Sequence, residues 1–283
     1  MGILFLVSTP IGNLQDITLR ALDVLGSVDL IAAEDTRRTR ILLTEFGISK
    51  PITSYHDFSE GKKARALTAQ MAKGKQVALV SEAGSPGVCD PCYRLVRAAI
   101  ESGIPVVPIP GPTALIPALV VSGLPVDRFV FEGFLPARKA ARRKRLAALR
   151  CERRTLIFYE APHRLMDFLG DLGEEFGDRR IAVARELTKL HEEILRGTVS
   201  EVVESFLENG PRGELVVVCE GVKETGEEDP EVLSRVDRHL DWLLGTDRVS
   251  LKEAAREVAL LMGLPRKTVY GRAVAVVRAQ EDG

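Results

Sequence analysis

Two motifs that commonly mark a nucleotide site are missing from this 283-residue chain. It has no Walker motif, and no Gly-x-Gly-x-x-Gly turn follows its first apolar run, which disfavours a phosphate-cradling NTPase and a Rossmann-type nicotinamide or methyltransferase site. Long apolar runs are missing too. The N-terminal apolar stretch spans about six residues, lacks a basic flank and ends in a Pro-Gly loop, so it fits neither a secretory leader nor a membrane span. Met1-Gly2 invites myristoylation, but Leu6 stands where that modification needs Ser or Thr. A cytoplasmic protein without membrane attachment is expected. Net charge is also lacking, at −1 from 39 basic and 40 acidic residues, so nucleic-acid affinity must come from local patches.

Cysteines are few. Cys89, Cys92, Cys151 and Cys219 fit a reduced compartment, and Cys89-Asp90-Pro91-Cys92 has redox or zinc spacing. No second pair accompanies it and the four histidines are scattered, so no metal site is expected. A helix opening at Pro91 would lower a nearby thiol pKa, which keeps thiol chemistry open.

What is present is an alternation of apolar strands and amphipathic helices. Strands are expected at residues 3–7, 28–33, 77–80, 106–109, 129–132, 155–159, 181–185 and 215–219, all uniformly apolar and hence suited to sheets covered on both faces. Helices should fill the gaps, including 16–25, 91–101 and an apolar helix capped by Thr113 and running to Val121. Turn signals at Ser122-Gly123-Leu124-Pro125 place a boundary between α/β domains at 1–122 and 123–222. The acidic, glycine-bearing stretch 220–230 reads as a linker. Beyond it, 231–283 reads as a helix-turn-helix appendage, either a packing element or a nucleic-acid binder.

Two loops follow buried strands: Thr9-Pro10-Ile11-Gly12-Asn13-Leu14 and Ser81-Glu82-Ala83-Gly84-Ser85-Pro86-Gly87. Ligands of open α/β sheets collect at the carboxyl ends of strands, so these loops mark a cofactor cleft. The densest cationic run is Arg138, Lys139, Arg142, Arg143, Lys144, Arg145, Arg150, Arg153 and Arg154, opposed in sequence only by Glu152. Helical spacing puts Arg138, Arg142 and Arg145 on one face, and such a single-signed run favours a polyanion.

Eight motifs taken in order resemble the tetrapyrrole-methylase superfamily of S-adenosylmethionine-dependent methyltransferases. They are the Thr9 to Leu14 loop, Glu34-Asp35-Thr36-Arg37, the stretch from Ser81 to Pro91, Pro110-Gly111-Pro112-Thr113-Ala114, Phe131-Glu132-Gly133-Phe134-Leu135-Pro136, Tyr159-Glu160-Ala161-Pro162-His163-Arg164, Ala184-Arg185-Glu186-Leu187-Thr188-Lys189, and Gly213-Glu214. Their likeness is to the branch that methylates the ribose 2′-oxygen of a decoding-centre cytidine in small-subunit ribosomal RNA. The resemblance implies two α/β domains with S-adenosylmethionine in the interdomain cleft, and a homodimer. It assigns cofactor contacts to Pro10, Gly12, Ser85, Pro86, Val88, Thr113, Ala114, Tyr159, Ala161, Gly213 and Glu214. Glu82, Ser85 and Cys92 depart from the family's usual Asp, Thr and Gly, so Cys92 looks like a local substitution.

A sulfonium donor carries its own leaving group, so the protein must chiefly position an acceptor hydroxyl and help its proton away. Glu82, Glu186, Lys189 and His163 are candidates, with Glu82 or Glu186 as the proton acceptor. The blander readings are a loop cap for Glu82, an ion pair with Arg185 or Lys189 for Glu186, and a helix cap for His163. Arg37, Arg138, Arg142, Arg143, His163, Arg164 and Lys189 are expected on the substrate side, although Arg37 also suits pairing with Glu34 or Asp35. The expected partner is small-subunit ribosomal RNA, naked or in the assembled subunit. The rivals are a methyltransferase for a corrin precursor and a catalytically silent RNA-binding assembly factor.

Overall fold

A computed structural model describes residues 1–56, 60–222, 230–245, 249–262, 264 and 266–281. They fall into two compact units, Met1–Val222 and Lys223–Gly283.

In the first unit, β1 (Leu4–Val7), β2 (Leu30–Ala33), β3 (Ile52–Ser54), β4 (Val77–Val80) and β5 (Val106–Ile109) form a parallel sheet ordered β3-β2-β4-β1-β5. Successive side chains of a strand point to opposite faces, and both faces here are apolar. Val77 and Leu79 join Leu4, Tyr55, Met71 and Leu95 on one side, while Ala78 and Val80 join Val7, Leu25, Leu42 and Ile109 on the other. Helices α1 (Leu19–Ser27) and α2 (Thr36–Glu45) cover the second face, and α3 (Glu60–Ala72) and α4 (Tyr93–Glu101) the first. Thr18 caps α1 through the Ala21 N–H, and Asp35 caps α2 through the N–H groups of Arg37 and Arg38. Because β4, β1 and β5 are neighbours, the loops that follow them adjoin.

A second sheet, β6 (Phe129–Phe134), β7 (Thr155–Glu160), β8 (Arg180–Arg185), β9 (Glu193–Thr198) and β10 (Leu215–Cys219), has the order β6-β7-β10-β8-β9. Only β6 and β7 are parallel; the remaining pairs are antiparallel. Helices α6 (Lys139–Leu149), α7 (Pro162–Phe176) and α8 (Val199–Asn209) bury Leu146, Phe168, Leu172 and Phe206 against Leu156, Phe158, Val183 and Val217. The opposite face, Ile157, Ala182, Ala184, Val216 and Val218, packs on Ala118 and Leu119 of α5 (Leu115–Val121), on Leu187, and on Ile11 from the loop after β1. That shared cluster joins the two sheets into one unit.

The structure adds β3 and β9, which the apolar pattern did not indicate. No helix separates β8 from β9, since an antiparallel neighbour needs only the turn between them. Thr113 does not cap α5: the cap position is Ala114, which makes no side-chain bond. Helix α4 opens at Tyr93 and not at Pro91, and burial pushes the Cys89 thiol up, the reverse of the shift thiol chemistry would need.

The second unit contains α9 (Pro230–Leu244), α10 (Leu251–Met262) and α11 (Arg266–Glu281) around Val236, Leu240, Ala255, Val258, Val269 and Ala273. Arg272 Nε donates to Asp237 Oδ1 at 2.7 Å, tying α11 to α9. Most of the expected linker, residues 223–229, lies outside the described residues, as do Gly263 and Pro265 of the expected turn. Among the described residues, no helix is long and apolar enough to cross a membrane.

Candidate cofactor cleft

The loops after β4, β1 and β5 are bonded to one another. Thr9 N–H donates to Gly84 O at 2.8 Å and Gly84 N–H returns to Thr9 O at 3.0 Å. The Ser8 and Ser85 hydroxyls meet at 2.9 Å, and Ser85 Oγ donates to Pro112 O at 3.1 Å. Gly84 turns at φ +86°, and a Cβ on Gly111 would come within 2.8 Å of Ser8 Cβ, so these close approaches need glycine. Facing them are the ends of β6 and β7 and the start of β10. Tyr159 packs edge-on to Phe131 and Phe134, with ring centroids 4.9 and 5.6 Å away. Burial pushes its hydroxyl pKa up.

Between these walls lies a cavity of about 340 Å³. Ser85, Val88, Thr113, Ala114, Tyr159, Ala161, Gly213 and Glu214 line it, together with the carboxyl-bearing Glu34, Glu82, Asp90 and Glu160. No Lys or Arg is among its described lining residues. A second cavity of about 320 Å³ is lined by Pro10, Gly12, Leu14, Arg38, Ile41 and Lys189 among others, and shares Ile11, Glu82 and Ala83 with the first. Pro86 borders neither.

Glu82 accepts an ion pair from Arg38 Nε at 3.0 Å, while its N–H donates to Glu34 Oε2 at 3.1 Å. Glu186 stands at φ +52°, and its Oε1 accepts from Lys189 Nζ at 2.8 Å and from the Glu214 N–H at 2.9 Å. These two donors hold its pKa below the ordinary value, and it borders neither cavity. A Cβ on Gly213 would fall 2.4 Å from the Glu186 carboxyl carbon. Glu160 is 2% exposed; its Oε1 accepts from the Ala161 N–H, its Oε2 has no partner, and burial pushes its pKa up.

Residues 4–203 match the Tetrapyrrole (Corrin/Porphyrin) Methylases, and residues 230–276 match the RsmI C-terminal HTH domain. The chain is 48% identical over 271 residues to Ribosomal RNA small subunit methyltransferase I of Synechocystis sp., covering 95% of this chain and 96% of that protein. With the protein of the same name from Escherichia coli O157:H7 the identity is 47%, over 95% of this chain and 93% of the relative. The chain belongs to the ribosomal RNA small subunit methyltransferase I family of tetrapyrrole methylases.

Solved structures agree on the fold of this family. Uroporphyrin-III-C-methyltransferase from Thermus thermophilus superposes with TM-score 0.56 at 22% identity, over 77% of this chain and 94% of its own. Diphthine synthase gives 0.60 at 16% identity, over 77% and 90%.

The basic run that suggested a polyanion site is largely neutralised inside this family member. Arg142 is a correction: it is 3% exposed and bonds Asp171 at 2.7 Å, because its side chain points under α6 onto α7. Arg143 reaches Glu174 and Glu175, Arg145 reaches Glu132, and Arg154 reaches Glu152, so acids distant in sequence supply most of the opposing charge. Arg138 is exposed, as are His163, on the first turn of α7 beside Pro162, and Arg37, which pairs with Asp35 at 3.2 Å. Arg164 turns inward to Leu135 O at 2.8 Å and to Glu160. Asp90 and Glu160 carried no expected role of their own, yet both border the first cavity, as does Glu34, and Arg38 borders the second. The available signal was their position: Glu34 directly follows β2, and Glu160 ends β7.

Proposed function

We propose that the chain methylates the ribose 2′-oxygen of a decoding-centre cytidine in small-subunit ribosomal RNA, with S-adenosylmethionine as donor. We place it in the cytoplasm as a homodimer, divided at 1–122, 123–222 and 231–283. The observation that carries the acceptor is coverage: the Synechocystis ribosomal RNA small subunit methyltransferase I matches 95% of the chain, and residues 230–276 match the C-terminal domain of that family, whereas cobalt precorrin-4 methyltransferase superposes on 77%. One solved relative, uroporphyrin-III C-methyltransferase complexed with S-adenosylhomocysteine (TM-score 0.53, 19% identity), is consistent with the donor.

The donor supplies a methyl group on a positive sulfonium that departs as a neutral thioether. A cavity bordered by five carboxyl-bearing residues, Glu34, Glu82, Asp90, Glu160 and Glu214, fits that cation. Ser85, Val88, Thr113, Ala114, Tyr159, Ala161, Gly213 and Glu214 would hold it from both walls, with Pro10 and Gly12 behind Ile11 and Pro86 supporting the bend at Ser85. Glu82 borders both cavities and takes the proton of the acceptor hydroxyl. Glu186, anchored by Lys189, is a positioning residue for the Gly213-Glu214 turn rather than a base, since its lowered pKa weakens its basicity. Arg37, Arg138, Arg143, His163, Arg164 and Lys189 remain on the substrate side.

Incubating the protein with labelled S-adenosylmethionine and either small subunits or naked ribosomal RNA, followed by nucleoside analysis, tests this. Label in 2′-O-methylcytidine is expected. Label in a base, transfer only to a corrin precursor, or RNA binding without transfer would replace it by a rival activity.

A further inference from the structure

Resting on that reading, we infer that the second cavity seats the acceptor nucleotide, splayed out of the RNA, with its ribose toward Glu82 and its phosphate toward Arg38. The two cavities differ in charge. The first is bordered by carboxyl groups with no described Lys or Arg, whereas the second carries Arg38 and Lys189. Their walls share Ile11, Glu82 and Ala83, so ligands filling both would approach each other at Glu82.

The helix beside the second cavity presents cations. Arg37, Arg38 and Arg40 crowd the beginning of α2, and no acid stands in its first turn. Asp35 already accepts from the Arg37 and Arg38 N–H groups and pairs with Arg37, so a phosphate at this cavity would meet the exposed Arg38 guanidinium and not the helix terminus. Beyond the arginines the wall turns apolar. Leu14 and Ile41 are 36% and 65% exposed, a surface against which a base can lie without sequence readout. A volume of about 320 Å³ is within the range of small-ligand sites. A ribose within a stacked helix cannot enter such a recess, so the nucleotide must be splayed from its neighbours, the usual mode of protein recognition in single-stranded RNA.

The test is Ile41→Trp, which adds bulk to the exposed wall of the second cavity, with Leu14→Trp as a second variant. S-adenosylhomocysteine binding by calorimetry reports whether the first cavity and the fold survive. Binding of a cytidine-containing oligoribonucleotide is then measured, together with KM for the RNA substrate. The inference predicts that both variants weaken oligonucleotide binding and raise KM at least about tenfold while S-adenosylhomocysteine binding stays within about twofold. Unchanged RNA binding in both variants overturns it. So does a change of oligomeric state with RNA binding intact, which would make the recess a contact between copies. Absence of methyl transfer by the unaltered protein counts against the proposed function, whereas RNA binding indifferent to residue 41 counts against this site alone.

Discussion

Arg142 and Asp171 form an ion pair at 2.7 Å in which both side chains are almost wholly buried, at 3% and 2% exposure. It pins α6 to α7 from within. Asp171→Asn leaves the Arg142 charge uncompensated in the core, and Arg142→Ala leaves Asp171 only the exposed Lys139 at 3.7 Å, so either change should lower unfolding stability, the former by about 3–5 kcal/mol. Denaturant titration checks this, and a loss below about 1 kcal/mol would show that water reaches the pair.

Gly213 turns at φ +73° against the Glu186 carboxyl. In Gly213→Ala both the backbone angle and the added carbon are unfavourable, at about 1–3 kcal/mol for the angle alone. The Glu214 turn must then move, and S-adenosylhomocysteine affinity by calorimetry should fall about tenfold.

Hydrogen bonds and charge from Arg154 hold the Glu152 pKa at about 2, well below its ordinary 4.5. The folded protein therefore binds this proton less readily than the unfolded chain. Its stabilisation is complete above about pH 4.5 and fades as pH falls toward about 2. Arg154 is half exposed, so solvent screening limits the effect to about 1 kcal/mol. Glu152→Gln should lose that increment at pH 6 and converge with the unaltered protein near pH 2, as read by urea midpoints.

Burial pushes the Cys219 thiol up to about 12, and Cys89 is raised as well. Exposed Cys151 should alkylate first, Cys89 more slowly, and Cys219 only on unfolding. Mass spectrometry of timed iodoacetamide reactions gives the order, and early labelling of Cys219 would contradict the buried placement.

Arg143 and Arg145 have their charges met by glutamates, whereas Lys144 on the same helix and Arg138 at its N-cap lie exposed. Joint Arg138→Ala and Lys144→Ala should reduce the log-log salt dependence of RNA affinity by about one unit per lost phosphate contact. Arg145→Ala should change it far less. Fluorescence anisotropy across a salt series distinguishes the two.

Strands were legible where both faces are buried, because Val77 to Val80 must then be apolar throughout. β3 has three residues, and β9, reading Glu-Ile-Leu-Arg-Gly-Thr, is a half-exposed edge, so neither needs the pattern that reveals a central strand. The loops that border the cleft were readable from Gly84 and Pro112 at strand ends. The pairing of Arg142 was not, since Asp171 lies 29 residues away on another helix and local spacing carries no record of it. Thr113 misled for a related reason: a hydroxyl before a helix suits a cap, yet the cap falls one residue later at Ala114 and Thr113 faces the cavity.

Ile11 belongs at once to the core beneath the second sheet and to the partition between the two recesses. Cohesion of the halves and discrimination among guests thus depend on the same few methyl groups. A lineage that retuned its substrate by altering this residue would disturb its own folding, so specificity should diversify along the outer rims while this position keeps a branched aliphatic shape.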